Sequence, residues 1–139
     1  MTAILADTGV LVALLDRREK FHAWAVEQTQ TLHPPLLLCE AVLAELLFLV
    51  ADLPGGRAAV SHNLHHGNWR LHFSLGAERE RVFSLLEIYA DQPMSLADGC
   101  LVRMAELNAG ASVFTLDRHF RVYRKNRRQH IPLIAPDEI

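Results

Sequence analysis

Short apolar runs alternate along the chain with longer stretches in which apolar residues recur every three or four positions, and this alternation predicts strands and helices in turn. Ala3 to Ala6 reads as a buried strand and Thr8 to Leu15 as the helix after it. A charged loop, Asp16 to Lys20, separates them from a helical stretch at Phe21 to Gln30. Pro34-Pro35 launches a second short strand, Leu36 to Leu38. Glu40 to Leu53 is apolar nearly all round, the pattern of a central buried helix, and Pro54-Gly55-Gly56 stops it. Arg57 to His66 predicts another helix, and Trp69 to Phe73 alternates like an edge strand. Ala77 to Asp91 is amphipathic, Pro93 breaks it, and Leu96 to Asn108 follows as a helix with Gly110 just past its end. Ser112 to Leu116 is a buried strand, and Ile131 to Ile134 a last strand, edge-like because of Pro132. Strands alternating with helices predict an α/β fold, a three-layer α/β/α sandwich on a short, mainly parallel central sheet. The whole chain, 1–139, reads as a single domain.

Composition adds where this domain works. With 50% hydrophobic residues it builds a core without disulfides, and its two cysteines, Cys39 and Cys100, sit beside apolar sequence without zinc-site spacing. No basic segment and apolar stretch open the chain, and no apolar run approaches the ~20 residues that span a bilayer, so a cytoplasmic protein that is neither exported nor membrane-bound is expected. The net charge of −2 excludes a uniformly basic surface, yet six of the 14 lysines and arginines fall between Arg118 and Arg128. That cluster either contacts phosphates or is a solvated segment.

Four carboxylates carry the candidate chemistry. Asp7 closes the first strand, Asp117 closes the strand ending at Leu116, Glu45 is the one ionisable group between Ala41 and Ala51, and Asp98 lies within Ser95 to Val102. In parallel sheets ligands gather at the carboxyl ends of strands, where Asp7 and Asp117 are delivered. Taken singly, Asp7 and Asp117 read equally as helix caps, and Asp98 as half of a capping box with Ser95. Glu45 has no helix start nearby, though a buried ion pair would also account for it. Together the four suit a hard divalent cation, Mg²⁺ or Mn²⁺, which takes oxygen ligands. His62, His65 and His66 stand at helical spacings that suit half of a zinc site, but no local acid or cysteine joins them and a polar helix end explains them more simply.

Four stretches resemble the PIN domain, and within it the VapC-type ribonuclease toxins of prokaryotic toxin–antitoxin modules: Leu5 to Asp16, Glu40 to Glu45, Tyr89 to Asp98 and Thr115 to Phe120. The resemblance covers nearly the whole chain, and the order and spacing of its pieces carry it. It implies that Asp7, Glu45, Asp98 and Asp117 are the metal-binding acids, supported by Thr8 and Thr115. It implies a metal-dependent endoribonuclease that leaves 5′-phosphate and 3′-hydroxyl ends, with Arg118, Arg121, Arg124 and Lys125 on the RNA backbone. A cognate antitoxin and a homodimer are the implied partners, and Val10, Leu14, Phe21 and Trp24 of the early helices are the expected apolar docking surface. Gly99 departs from the family's usual alanine. The alternatives are a PIN nuclease of RNA processing and a metal-binding module without strong catalysis. A haloacid-dehalogenase-type phosphatase would need a second Asp where Gly9 stands, and a receiver a paired acid and a late lysine.

Overall fold

The computed structural model describes residues 2–139. In chain order the elements are β1 (Ile4–Ala6), α1 (Thr8–Leu15), α2 (His22–Thr29), β2 (Leu36–Leu38), α3 (Glu40–Leu49), α4 (Gly56–His65), β3 (Trp69–Leu71), α5 (Leu75–Ile88), α6 (Leu96–Leu107), β4 (Ser112–Phe114), a 3-10 turn (Arg118–Arg121), β5 (Arg124–Lys125), β6 (Gln129–His130) and β7 (Leu133–Ile134). Five strands form one sheet in the order β3-β2-β1-β4-β7, and every neighbouring pair is parallel. β1 and β2 are buried throughout, which is why both read as unbroken apolar runs rather than alternating ones. Helices flank the sheet, with α5 along α6, α1 against α2 and α3, and α3 meeting α6. This is the α/β/α sandwich expected from the pattern. Its two edges are β3 and β7, as the alternation at Trp69 and the proline at 132 predict.

The strand order reverses between β1 and β4. Successive strands run outward from β1 through β2 to β3, then the chain returns and adds β4 on the other side of β1. The loops leaving the carboxyl ends of β1 and β4 therefore diverge and leave a crevice, the usual ligand position in an open parallel sheet. Asp7 N–H donates to Phe114 O at 3.0 Å and so pins the end of β1 to the end of β4.

Several expectations change. α3 is not a central helix: it ends at Leu49, four residues early, and only Val42 and Leu46 within it are buried. Phe48 is 79% exposed, with Glu45 and Leu49 also on the surface. A helix that lies over a small sheet buries one stripe whatever its composition, and here apolar residues continue round onto the wet side. α5 begins at Leu75, where the Ser74 hydroxyl accepts from Ala77 N–H, and ends at Ile88, three residues before the predicted end. The early helices hold little spare apolar surface, because Val10 is buried and Leu14 and Trp24 are partly buried against the core. Gly99 marks a close approach: a Cβ there would meet Leu86 Cδ2 at 3.3 Å and Val82 Cγ1 at 3.5 Å, across the α5–α6 contact.

The basic segment folds as a hairpin of β5 and β6 whose turn carries two left-handed residues, Asn126 and Arg127. Glu106 of α6 anchors it. That side chain is 2% exposed, receives two hydrogen bonds from Arg81 at 3.0 and 2.7 Å and one from Arg103 at 3.2 Å, and accepts from Asn126 N–H at 2.7 Å.

Candidate active site

Asp7 stands at the residue where β1 becomes α1. Its extended backbone makes it the N-cap of α1, and Thr8 N–H donates to its Oδ1 at 2.7 Å. The Thr115 hydroxyl, just past β4, donates to its Oδ2 at 2.8 Å. Thr115 Oγ1 in turn accepts from Asp117 N–H at 2.9 Å, so one hydroxyl fixes both the first acid and the loop of the last. Asp117 caps the 3-10 turn, and its Oδ1 takes His119 N–H at 2.9 Å and His119 Nδ1 at 2.7 Å. Asp98 forms a full capping box at the start of α6: Ser95 N–H donates to its Oδ2 at 3.0 Å, and Asp98 N–H donates to Ser95 Oγ at 3.1 Å.

The capping and the cation readings are therefore compatible. Each Asp caps with one oxygen, which fixes its carboxylate, and Asp7, Asp98 and Asp117 offer oxygens that all lie within 4.8 Å of one another. Glu45 is not a member of that triad. It stands exposed on α3, held by the Thr8 hydroxyl, which donates to its Oε2 at 3.1 Å. All four acids nonetheless line a single open cleft of about 350 Å³, together with Thr8, Gly9, Leu49, Ser95 and Leu116.

Electrostatics match this crowding. Burial raises the Asp7 carboxyl to about 7, the charges of Asp98 and Asp117 add to the rise, and the Thr115 hydroxyl opposes it. Burial also raises Asp98, with the charges of Asp117 and Glu45 adding. Among the described residues no basic side chain bonds to Asp7, Asp98 or Glu45, and His119 meets the cluster only at Asp117, so a cation is the natural complement. The donor set, oxygen only, fits a hard divalent ion.

Nothing in the sequence singles out Tyr123. Its ring is fully buried and its hydroxyl is the sole buried side-chain polar group among the described residues without a hydrogen-bond partner. Elsewhere, Arg124 turns its Nη1 back on the carbonyls of Arg121, Val122 and Tyr123, while Arg118 and Arg121 are exposed beside Asp117. His62 and His66 stack with ring centroids 3.9 Å apart on the surface, and no third ligand joins them among the described residues. A cavity of similar volume to the acidic cleft, lined by Leu14, Leu32, Trp69 and neighbours, holds no titratable group.

The model of the PIN domain family matches residues 4–126, which takes in every residue of the acidic cleft. The chain belongs to the PIN domain family. This PIN protein is 34% identical over 124 residues to Ribonuclease VapC26 of Mycobacterium tuberculosis (strain ATCC 25618 / H37Rv), an alignment covering 87% of the chain and 92% of that relative. Its fold is similar to the crystal structure of VapC20 of the same species, described as a sarcin-ricin loop cleaving toxin. The TM-score is 0.70 at 19% identity, over 83% of this chain and 90% of that one. The match begins at β1 and runs through β5.

Proposed function

We propose that this PIN protein is a metal-dependent endoribonuclease acting as the toxin of a toxin–antitoxin pair. The observation that carries the reading is the meeting of Asp7, Asp98 and Asp117, with oxygens within 4.8 Å, at the point where the strand order reverses. The VapC relatives support the toxin role. Asp7, Asp98 and Asp117 would hold one or two Mg²⁺ or Mn²⁺ ions, with Glu45 closing the site from α3. A bound ion supplies Lewis-acid stabilisation of charge on a phosphate and a readily deprotonated water.

The chain's own residues do the rest. Thr115 and the Thr8 N–H hold the Asp7 carboxylate in one orientation, the Ser95 box holds Asp98, and His119 holds Asp117. Such fixing lowers the reorganisation needed when charge develops. Thr8 tethers Glu45 to the same wall. The cleft is open, which suits a polymer that must lie across it rather than a small molecule enclosed by it. Arg118 and Arg121, next to Asp117, and Lys125 with Arg124 on the hairpin, form the basic approach for RNA phosphates. The antitoxin docks on the exposed apolar face of α3, Phe48 and Leu49, which borders the acidic cleft through Leu49. A second copy of the chain completes a homodimer.

The test is Mg²⁺ or Mn²⁺ addition to the purified protein, read by melting temperature and by cleavage of RNA. Both should rise with the ion and fall back with EDTA, because a ligand of the folded state stabilises it by mass action. A melting temperature indifferent to the ion, with cleavage surviving EDTA, would refute the cation reading.

A further inference from the structure

The basic segment beyond Asp117 is mounted on the body of the protein at two points. Arg124, Lys125, Arg127 and Arg128 follow one another with no acid among them, a run that repels itself and stays loose unless other elements hold it. Two helices do. Where β5 begins, Arg124 N–H donates at 2.9 Å to the hydroxyl of Tyr89, at the end of α5. At the turn of the hairpin, Asn126 N–H donates at 2.7 Å to Glu106 Oε2, in the last turn of α6. Glu106 is itself fixed, because Arg81 and Arg103 hold its two oxygens. Lys125, Arg127 and Arg128 make no ion pair among the described residues, and the two arginines are exposed. The mount also sets a distance. Asp98 lies in the first turn of α6 and Glu106 in the last, so the hairpin turn stands about 12 Å from Asp98 along the helix. A stacked strand covers that length in roughly four nucleotides.

We propose that Tyr89 and Glu106 are positioning residues for RNA, holding the hairpin so that Lys125, Arg127 and Arg128 meet phosphates roughly four nucleotides away from the acidic cleft. The proposal rests on the nuclease reading above. It names the substrate class as RNA that continues past the cleft along α6, rather than a fragment that only fills the cleft. Neither residue touches the substrate, since each acts through the backbone of the hairpin. Cations held in place bind phosphates without first giving up the freedom of a loose arm.

The test compares two substrate lengths. Tyr89→Phe removes one oxygen and keeps the ring that packs edge-on against Tyr123. With Mn²⁺ and a dodecanucleotide RNA, its KM should rise about tenfold while kcat stays the same, because the interaction lost is one of uniform binding. On a trinucleotide, too short to reach the hairpin turn, the variant and the unmodified protein should have the same kcat/KM. Glu106→Gln, assayed well below its melting temperature, should repeat this pattern. An unchanged KM for the dodecanucleotide in both variants would overturn the proposal and leave the nuclease reading standing. Equal losses on both lengths would also overturn it, since a merely structural defect does not distinguish them. No cleavage of either RNA by the unmodified protein would remove the nuclease reading and this proposal together.

Discussion

One hydroxyl, Thr115 Oγ1, binds Asp7 Oδ2 and the Asp117 backbone at once, and through it two acids far apart in sequence become neighbours. Thr115→Val, close in shape, should leave Asp7 short of a donor and weaken Mg²⁺ binding by tenfold or so, as calorimetry would read. Asp7 itself sets a pH dependence. Its folded carboxyl titrates near 7 against 3.8 for the free group. The group is thus proton-bound in the metal-free fold at a pH where the unfolded chain has already lost the proton. Its contribution is fully present below about pH 4 and is lost as pH rises through 7, up to about 4 kcal/mol. In EDTA the protein should melt higher at pH 5.5 than at pH 8, and Asp7→Asn should flatten the difference while raising the melting temperature at pH 8. Equal melting at both pH values in the unmodified protein would contradict a buried, uncompensated Asp7. Asp98→Asn and Asp117→Asn should each cut metal-dependent RNA cleavage by about a hundredfold or more with the fold intact, as circular dichroism would confirm.

Among the elements, those whose sequence pattern and environment agree were legible. β1, β2 and β4 are buried on both faces and read as short apolar runs, and the acids that follow β1 and β4 were placed with them. α3 was misjudged for a physical reason: an all-round apolar helix tells how much it can bury, not how much its neighbours cover, and Glu45 was assigned a buried setting that α3 does not provide. The β5–β6 hairpin escaped because each strand has two residues and both are polar, so no alternation is visible. The hairpin's attachment makes its own prediction. Glu106→Gln would strip the charge from a carboxylate shared by Arg81, Arg103 and Asn126 N–H, and should cost about 2 to 3 kcal/mol in urea unfolding. Replacing Arg121, Lys125 and Arg128 together with Ser should instead weaken RNA binding and lower its salt dependence by about one log–log slope unit per lost phosphate contact, with the rate at saturating RNA little changed. Salt dependence identical to the unmodified protein would make the hairpin a solvated appendage.

For the whole molecule, the exposed Phe48 and Leu49 beside the acidic cleft are the feature a partner would use. Phe48→Ser should abolish capture by an antitoxin while leaving cleavage of naked RNA intact, because Phe48, unlike Leu49, does not line the acidic cleft. Loss of both at once would place this side chain in the RNA path instead. Size-exclusion with light scattering would decide the proposed homodimer, and a monomer at tens of micromolar would refute it.

The hydrogen bond from Thr115 to Asp7 joins residues 108 positions apart. Its consequence lies in the order of synthesis. A ribosome that has made the first hundred residues has produced Asp7, Glu45 and Asp98 but neither β4 nor Asp117, and β1 then lacks the neighbour that holds its end. The acidic cluster is consequently incomplete during synthesis until β4 and Asp117 have been made and have left the exit tunnel, so the cleft cannot form ahead of the strand that closes it.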